Sequence, residues 1–223
     1  MLRAAGQAFR ELFTPSFRAI LFKCLGFTVG LLALIVIGLH WLFSYYVAWP
    51  GWIETTAEWL LGAGLVVGSI FLIPPVTSLI AGLYLDDIAA EVERVNYPAD
   101  MPGQELPTFQ TIWLALKFFF VVLAVNLVAL LLLLIPGVNL VAFYLGNGYL
   151  LGREYFEMVA MRHLPAGAAK ELRRVNSVYI FVCGLIIAVV ASVPILNLLT
   201  PIFATAFMVR IYKLLARRAG FVG

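Results

Sequence analysis

Hydrophobic positions fall into long tracts along this chain, and the polar positions between them decide where each tract can be helical. In residues 2–13, Leu2, Ala5, Phe9, Leu12 and Phe13 share one helical face while Arg3, Gln7, Arg10 and Glu11 lie elsewhere. That spacing predicts an amphipathic interfacial helix over residues 1–15. Thr14-Pro15-Ser16 ends it. Ser16 is placed to cap a second helix that starts at Phe17, runs through the apolar tract 24–48 and finishes in Trp41, Tyr45, Tyr46 and Trp49, an aromatic membrane anchor. After the turn WPGWIETT a second apolar helix covers residues 57–85, with Pro74-Pro75 part way along. Leu85, Ile88, Ala89, Val92 and Val95 then share one face, opposite Asp86, Asp87, Glu91 and Arg94. The same helix is therefore expected to continue out of the membrane to about residue 97, with Asp86 and Asp87 solvated.

Past the proline-rich link of residues 96–108 come four more apolar tracts, at 109–135, 138–152, 177–193 and 198–212. The segments IPGVNLVAF at 135 and VPILNLLTP at 193 share the pattern apolar-Pro-x-x-Asn-Leu, 58 residues apart, and point to a repeat of helical hairpins over 109–164 and 177–213. Proline lacks a backbone N–H and disfavours helix in the residue before it, so Ile135 and Val193 are natural helix ends. Pro136, Gly137 and Asn139 form the first tip and Pro194 with Asn197 the second, the asparagines placed to cap the helices that follow. The fifth tract rises only ~26 Å at 1.5 Å per residue, against a hydrocarbon core of ~30 Å. A turn inside the membrane, beside water or packed protein, and a tight turn at the far interface both fit the periodicity.

Composition turns these helices into membrane helices: 63% of the 223 residues are hydrophobic and 12% charged, half the ~25% of soluble domains. The fold class is all-α membrane protein, a single membrane domain over 1–223, with two long transmembrane helices in 17–97 followed by the two hairpins. An arginine-bearing amphipathic start with no small-residue cleavage site after the apolar run is unlike a secretory signal, so the first segment is expected to remain. None of the 15 Lys and Arg lies in residues 49–58, and the positive-inside rule then places both termini in the cytoplasm. Gly26-x-x-x-Gly30, Gly64-x-x-x-Gly68 and Gly148-x-x-x-Gly152 each permit close approach between helices. His40, Asn126, Asn147 and Lys117 are the few polar residues inside apolar tracts, expected to bond between helices.

Candidate chemistry narrows by elimination. No glycine-rich phosphate cradle precedes any lysine, no metalloprotease His pair occurs, and no catalytic constellation lies in the apolar tracts. Cys24 and Cys183 occupy separate tracts as small core residues, and a formal charge of +3 does not call for nucleic acid. The expectation is a non-enzyme without metal or cofactor that conducts or binds. An anion would be served by arginine, amide groups and the positive end of a helix dipole. Ser16, Phe17 and Arg18, at the head of the first span, bring the first and third together, with snorkelling of Arg18 to headgroups as the alternative use.

Three segments carry a resemblance: SVPILNLLTPIFATAFMVRIYK at 192–213, LLIPGVNLVAFYLGNGYLLGREYFE at 133–157 and LDDIAAEVE at 85–93. They resemble the CysZ family of bacterial sulfate permeases, in order over about residues 9–213. The resemblance implies a multi-pass protein of the bacterial inner membrane, hairpins that enter the membrane part way, a homo-oligomer, and ATP-independent sulfate uptake for cysteine biosynthesis. It also implies an anion site just before the first span, in a Gly-Leu-Arg type motif matched here by Ser16, Phe17 and Arg18. Ala19 follows, where the family commonly has a second arginine. The substrate is then sulfate or a related small oxyanion. The alternative is a non-transporting scaffold that shapes the bilayer.

Overall fold

The computed structural model describes residues 1–46, 80–105 and 138–220 without a break, with single residues and short runs between 51 and 77 and between 107 and 124. Every regular element among the described residues is a helix. They are α1 (Leu2–Glu11), α2 (Pro15–Tyr46), α3 (Leu85–Asn96), α4 (Val138–Met161), α5 (Ala166–Val175), α6 (Ser177–Ala191), α7 (Pro194–Asn197) and α8 (Thr200–Arg218).

The first of the long helices shows why the tract pattern matters. Pro15–Leu42 is 28 residues, ~42 Å at 1.5 Å per residue, longer than a ~30 Å hydrocarbon core needs. One stripe faces protein: Phe17, Cys24, Thr28 and Leu32 are buried. Phe22, Phe27, Leu34, Ile37 and Trp41, in contrast, are 62–70% exposed. An apolar exterior of this extent is suited to lipid and not to water. On the buried stripe the Thr28 hydroxyl donates to the Cys24 carbonyl at 2.8 Å and accepts from Thr77 at 3.1 Å, which ties α2 to the second apolar tract without an unsatisfied hydroxyl.

Two junctions differ from the expectation. α2 starts at Pro15, not Phe17, and the Arg18 amide donates to the Thr14 carbonyl at 3.0 Å. Thr14 thus holds the N-cap place and Ser16 sits in the first turn, because proline is pre-set for the first helical position and its missing N–H is no loss there. The second junction is Tyr84, whose backbone (φ −100°, ψ 6°) breaks the helix before α3. α3 buries Ile88, Ala89, Val92 and Glu93, while Val95 is 57% exposed.

α8 is the central helix. Its residues from Thr200 to Lys213 are all buried, as are Leu215 and Ala216, enclosed by α1, α3, α4 and α6. α1 lies against it through Ala5 and Ala8, with Phe9 edge-on to Phe203, so the N-terminal amphipathic helix covers protein with its small face. α4 and α6 approach where side chains are absent. A Cβ on Gly184 would overlap the Gly148 carbonyl oxygen and fall 2.7 Å from the Gly152 nitrogen, and one on Gly152 would fall 2.7 Å from the Ile180 carbonyl. Of the three glycine pairs, Gly148 and Gly152 make a close approach. At Gly26, Gly30, Gly64 and Gly68 an added Cβ meets nothing within 4 Å among the described residues.

At the second hairpin α6 ends at Ala191, Val193 is extended (φ −92°, ψ 118°) ahead of Pro194, and α7 is a single turn. Asn197 does not cap the next helix: it ends α7, its amide donates to the Val193 carbonyl at 2.8 Å, and Leu199 holds the N-cap place of α8. The extra turn of α7 intervenes because Pro194 restarts helix at once. The 15 residues of α6 rise ~22 Å, less than a hydrocarbon core. Pro136 and Gly137, the Asn139 side chain, Asn126 and Lys117 lie outside the described residues. Asn147 donates to its own helix's Phe143 carbonyl at 3.0 Å rather than to a neighbouring helix, and His40 is exposed.

Candidate anion site at the head of the first span

The α1–α2 elbow is built by Thr14 and Pro15. The Thr14 hydroxyl donates to the Glu11 carbonyl at 2.7 Å, closing α1, and Pro15 opens α2 with no N–H of its own. The amides of Ser16 and Phe17 follow, and the first turn of a helix gives such groups no intrahelical acceptor. They lie at the positive end of a 32-residue helix, equivalent to about half a charge.

Phe17 is buried at 4% exposure and anchors the elbow, so its contribution to an anion would be its amide and not its ring. Arg18 is exposed, as are Arg3, Arg10 and Lys23, and none of the four has a carboxylate partner among the described residues. The nearest acid in sequence, Glu11, is taken by Arg210 and by the Asn96 amide at 2.9 Å. The elbow therefore carries uncompensated positive charge over a ready set of donors. Such a surface raises the local concentration of anions.

Ser16 is engaged differently from the expectation. Its hydroxyl lies near enough to the Glu91 carboxylate to favour the charged form, and the Arg94 guanidinium holds both oxygens of that carboxylate, at 2.8 and 2.9 Å. The Arg94 bond, chiefly, and the Ser16 hydroxyl keep the Glu91 carboxyl below its ordinary range against the opposing effect of burial. An anion at the elbow thus meets a carboxylate whose charge is already covered by Arg94, 72% exposed. Neither Glu91 nor Arg94 stands out in the sequence, because the contact joins residues 75 positions apart.

Behind the elbow lies a belt of charge that the solvated reading of α3 missed. Arg162, 1% exposed at its side chain, pairs with Asp86 and, at 3.5 Å, with Glu93. Asp86 is therefore bound within the protein, while Asp87 is exposed as expected. Glu93 also bonds His163 at 2.8 Å and accepts the Gly103 amide at 2.9 Å, and His163 stacks on Tyr212. Burial pushes the Glu93 carboxyl up, but the His163 bond, the Gly103 amide and the Arg162 charge outweigh it and hold its pKa at about 2. Further along α8, Asp100 receives Lys213 at 3.3 Å and Arg217 at 3.1 Å, both cations lying near the Tyr97 ring.

These pairs fix the proline-rich link to the bundle: Glu93 grips it at Gly103, Arg162 accepts the Gln104 amide at 2.8 Å through its carbonyl, and Asp100 binds α8. Among the described residues no group of three or more His, Cys, Asp and Glu is arranged to hold a metal. Cys24 and Cys183 are buried free thiols.

A long apolar span with an exposed cation at its head, and an internal belt of neutralised charge, suit a protein that meets anions at a membrane. Residues 4–201 match the family described as sulfate transporter CysZ/etoposide-induced protein 2.4. The chain belongs to this EI24 family. No curated protein matches the chain. The matched region takes in the α1–α2 elbow, the α3 belt and the tip at Pro194 and Asn197, and stops before Arg210 and Lys213. Membership suggests a sulfate-transporter-like function and a membrane setting, in agreement with the apolar exterior of α2.

Proposed function

We propose that the protein is a sulfate permease of the bacterial inner membrane, passing the anion without ATP for cysteine biosynthesis, transport and not catalysis being its role. The observation that carries this reading is Arg18: an exposed guanidinium with no carboxylate partner among the described residues, at the positive end of the long apolar helix. In this reading Arg18 and the amides of Ser16 and Phe17 receive the dianion at the cytoplasmic end of α2. A single guanidinium, with Ala19 next to it, gives a weak site, and conduction requires an ion to leave as readily as it enters.

The topology follows the charge. Both termini are cytoplasmic, the two long helices cross, and the hairpin of α6 to α8 stops within the membrane, since ~22 Å of α6 falls short of the ~30 Å core. The Tyr144 hydroxyl, at 3.2 Å from Ser192, supports such a tip by giving it a protein partner in place of lipid. Homo-oligomers are part of the same proposal.

Radiolabelled sulfate binding to the purified protein tests it. Saturable binding that falls at least tenfold in Arg18→Ala, and that chloride does not compete away, is the expected result. Binding unchanged by that substitution overturns the assignment of the site.

A further inference from the structure

Where α5 turns into α6, at an angle of 89°, the surface between α4 and α6 holds a cavity of about 230 Å³. At ~30 Å³ for each water in the liquid, this has room for about seven waters, enough for a polar headgroup but not for a whole lipid. Its wall is mostly apolar, with Val178 and Phe181 from α6 and Tyr149 from α4. Arg153, Arg173 and Ser177 supply its polar rim.

The two guanidiniums at the rim face two carboxylates and share an oxygen of one of them. Arg173 and Arg153 direct their Nε atoms to one carboxylate oxygen, Oε1 of Glu157, at 2.6 and 3.6 Å, and Glu154 lies 4.0 Å from Arg153. None of the three atoms, Arg153 Nε, Arg173 Nε or Glu157 Oε1, completes an aligned hydrogen bond, though each is buried. Among the described residues the terminal nitrogens of the two guanidiniums donate no hydrogen bond. Ser177 and Val178 add the first amides of a 15-residue helix, whose intrahelical bonding begins with the Ile180 amide on the Asn176 carbonyl. Val178, 76% exposed, and Tyr149, 51% exposed, leave the groove open along the apolar side of α6.

We propose that this groove binds an anionic phospholipid. Its phosphodiester is held by Arg153, Arg173 and the amides at the head of α6, and one acyl chain lies along Val178 and Phe181. Guanidinium forks match phosphate oxygens, and the apolar wall asks for a ligand with a hydrocarbon tail beside its charge. The bend between the polar helix α5 and the apolar helix α6 puts the rim at headgroup level. Glu157 holds the two guanidiniums in place and weakens the site by its own charge.

Delipidated full-length protein in detergent, mixed with palmitoyl-oleoyl phosphatidylglycerol or phosphatidylcholine and examined by native mass spectrometry, tests this. Phosphatidylglycerol is expected to be retained at least fivefold better than phosphatidylcholine. The triple variant Arg153→Gln/Glu157→Gln/Arg173→Gln, which removes both guanidiniums together with the carboxylate they share, should bring the two lipids level. Glu157→Gln alone should raise phosphatidylglycerol retention severalfold, a gain that misfolding would not produce. Val178→Trp, at the exposed edge of the groove and touching no charge, should lower it. Equal retention of both lipids by the wild type, undiminished phosphatidylglycerol on the triple variant, or displacement by an equal concentration of glycerol phosphate overturns the proposal.

Discussion

Removing the Glu93 carboxylate is the most exacting test of the belt between α3, α4 and α8. In the folded protein its pKa is held at about 2, against an ordinary value of 4.5, by His163, the Gly103 amide and Arg162. At 1.36 kcal/mol per pKa unit, this corresponds to ~3 kcal/mol of stability tied to ionised Glu93. The folded pKa is depressed, so that stability is fully present above about 4.5 and is lost as the pH falls towards about 2. Glu93→Gln keeps the shape but removes the charge, leaving Arg162, 1% exposed, with Asp86 as its sole remaining acidic partner among those described. Breaking one half of a buried pair costs ~3–5 kcal/mol, a loss of the same order as that tied to the depressed Glu93 pKa. For a chain of this size ~3 kcal/mol lowers the melting temperature by roughly 6–12 °C. Thermal unfolding in detergent at pH 7 should show that deficit, and a series down to pH 3 should show it shrinking as the wild type loses the same charge. A variant that melts with the wild type at pH 7, or a deficit that is constant across the series, would refute the reasoning.

The close packing of α4 on α6 gives a second test. Gly184→Ala should cost ~1–3 kcal/mol or more, because backbone and not a flexible side chain stands in the way, whereas Gly26→Ala and Gly30→Ala should stay within about 0.5 kcal/mol, all three read by thermal unfolding. Asp100→Asn leaves Lys213, 2% exposed at its side chain, facing a neutral group, and should lower stability by ~2–4 kcal/mol; adding Lys213→Met should restore part of the loss. At the elbow, Pro15→Ala should alter sulfate binding less than twofold, since Thr14 remains in the N-cap place, while Ser16→Pro should weaken it by removing one of the two free amides. Equilibrium sulfate binding reads both.

The tract pattern made the elements legible, because apolar runs and prolines act locally. α2, the break at Val193-Pro194 and the close approach at Gly148 and Gly152 were all visible in it. The helix starts were less so: Pro15 displaced Ser16 from the cap, and the turn of α7 displaced Asn197, each through one residue's backbone preference. Long-range pairing was hidden altogether. Glu93 sits four residues after Ala89 and so belongs to the buried face of α3, a position where a carboxylate needs a partner. That much could be inferred from spacing, but not that the partners are Arg162 and His163, some 70 residues away. Of the candidate site, Arg18 is picked out in the sequence by its place at a helix head, whereas Glu91 and Arg94 come near Ser16 only through the fold.

Sulfate flux through reconstituted vesicles tests the central claim most directly. Purified protein in liposomes, given an inward sulfate gradient and no ATP, should take up labelled sulfate well above empty vesicles, and Arg18→Ala should reduce the initial rate at least fivefold without changing the amount reconstituted. Uptake no greater than that of empty vesicles, or an Arg18→Ala rate equal to the wild type, would contradict the account.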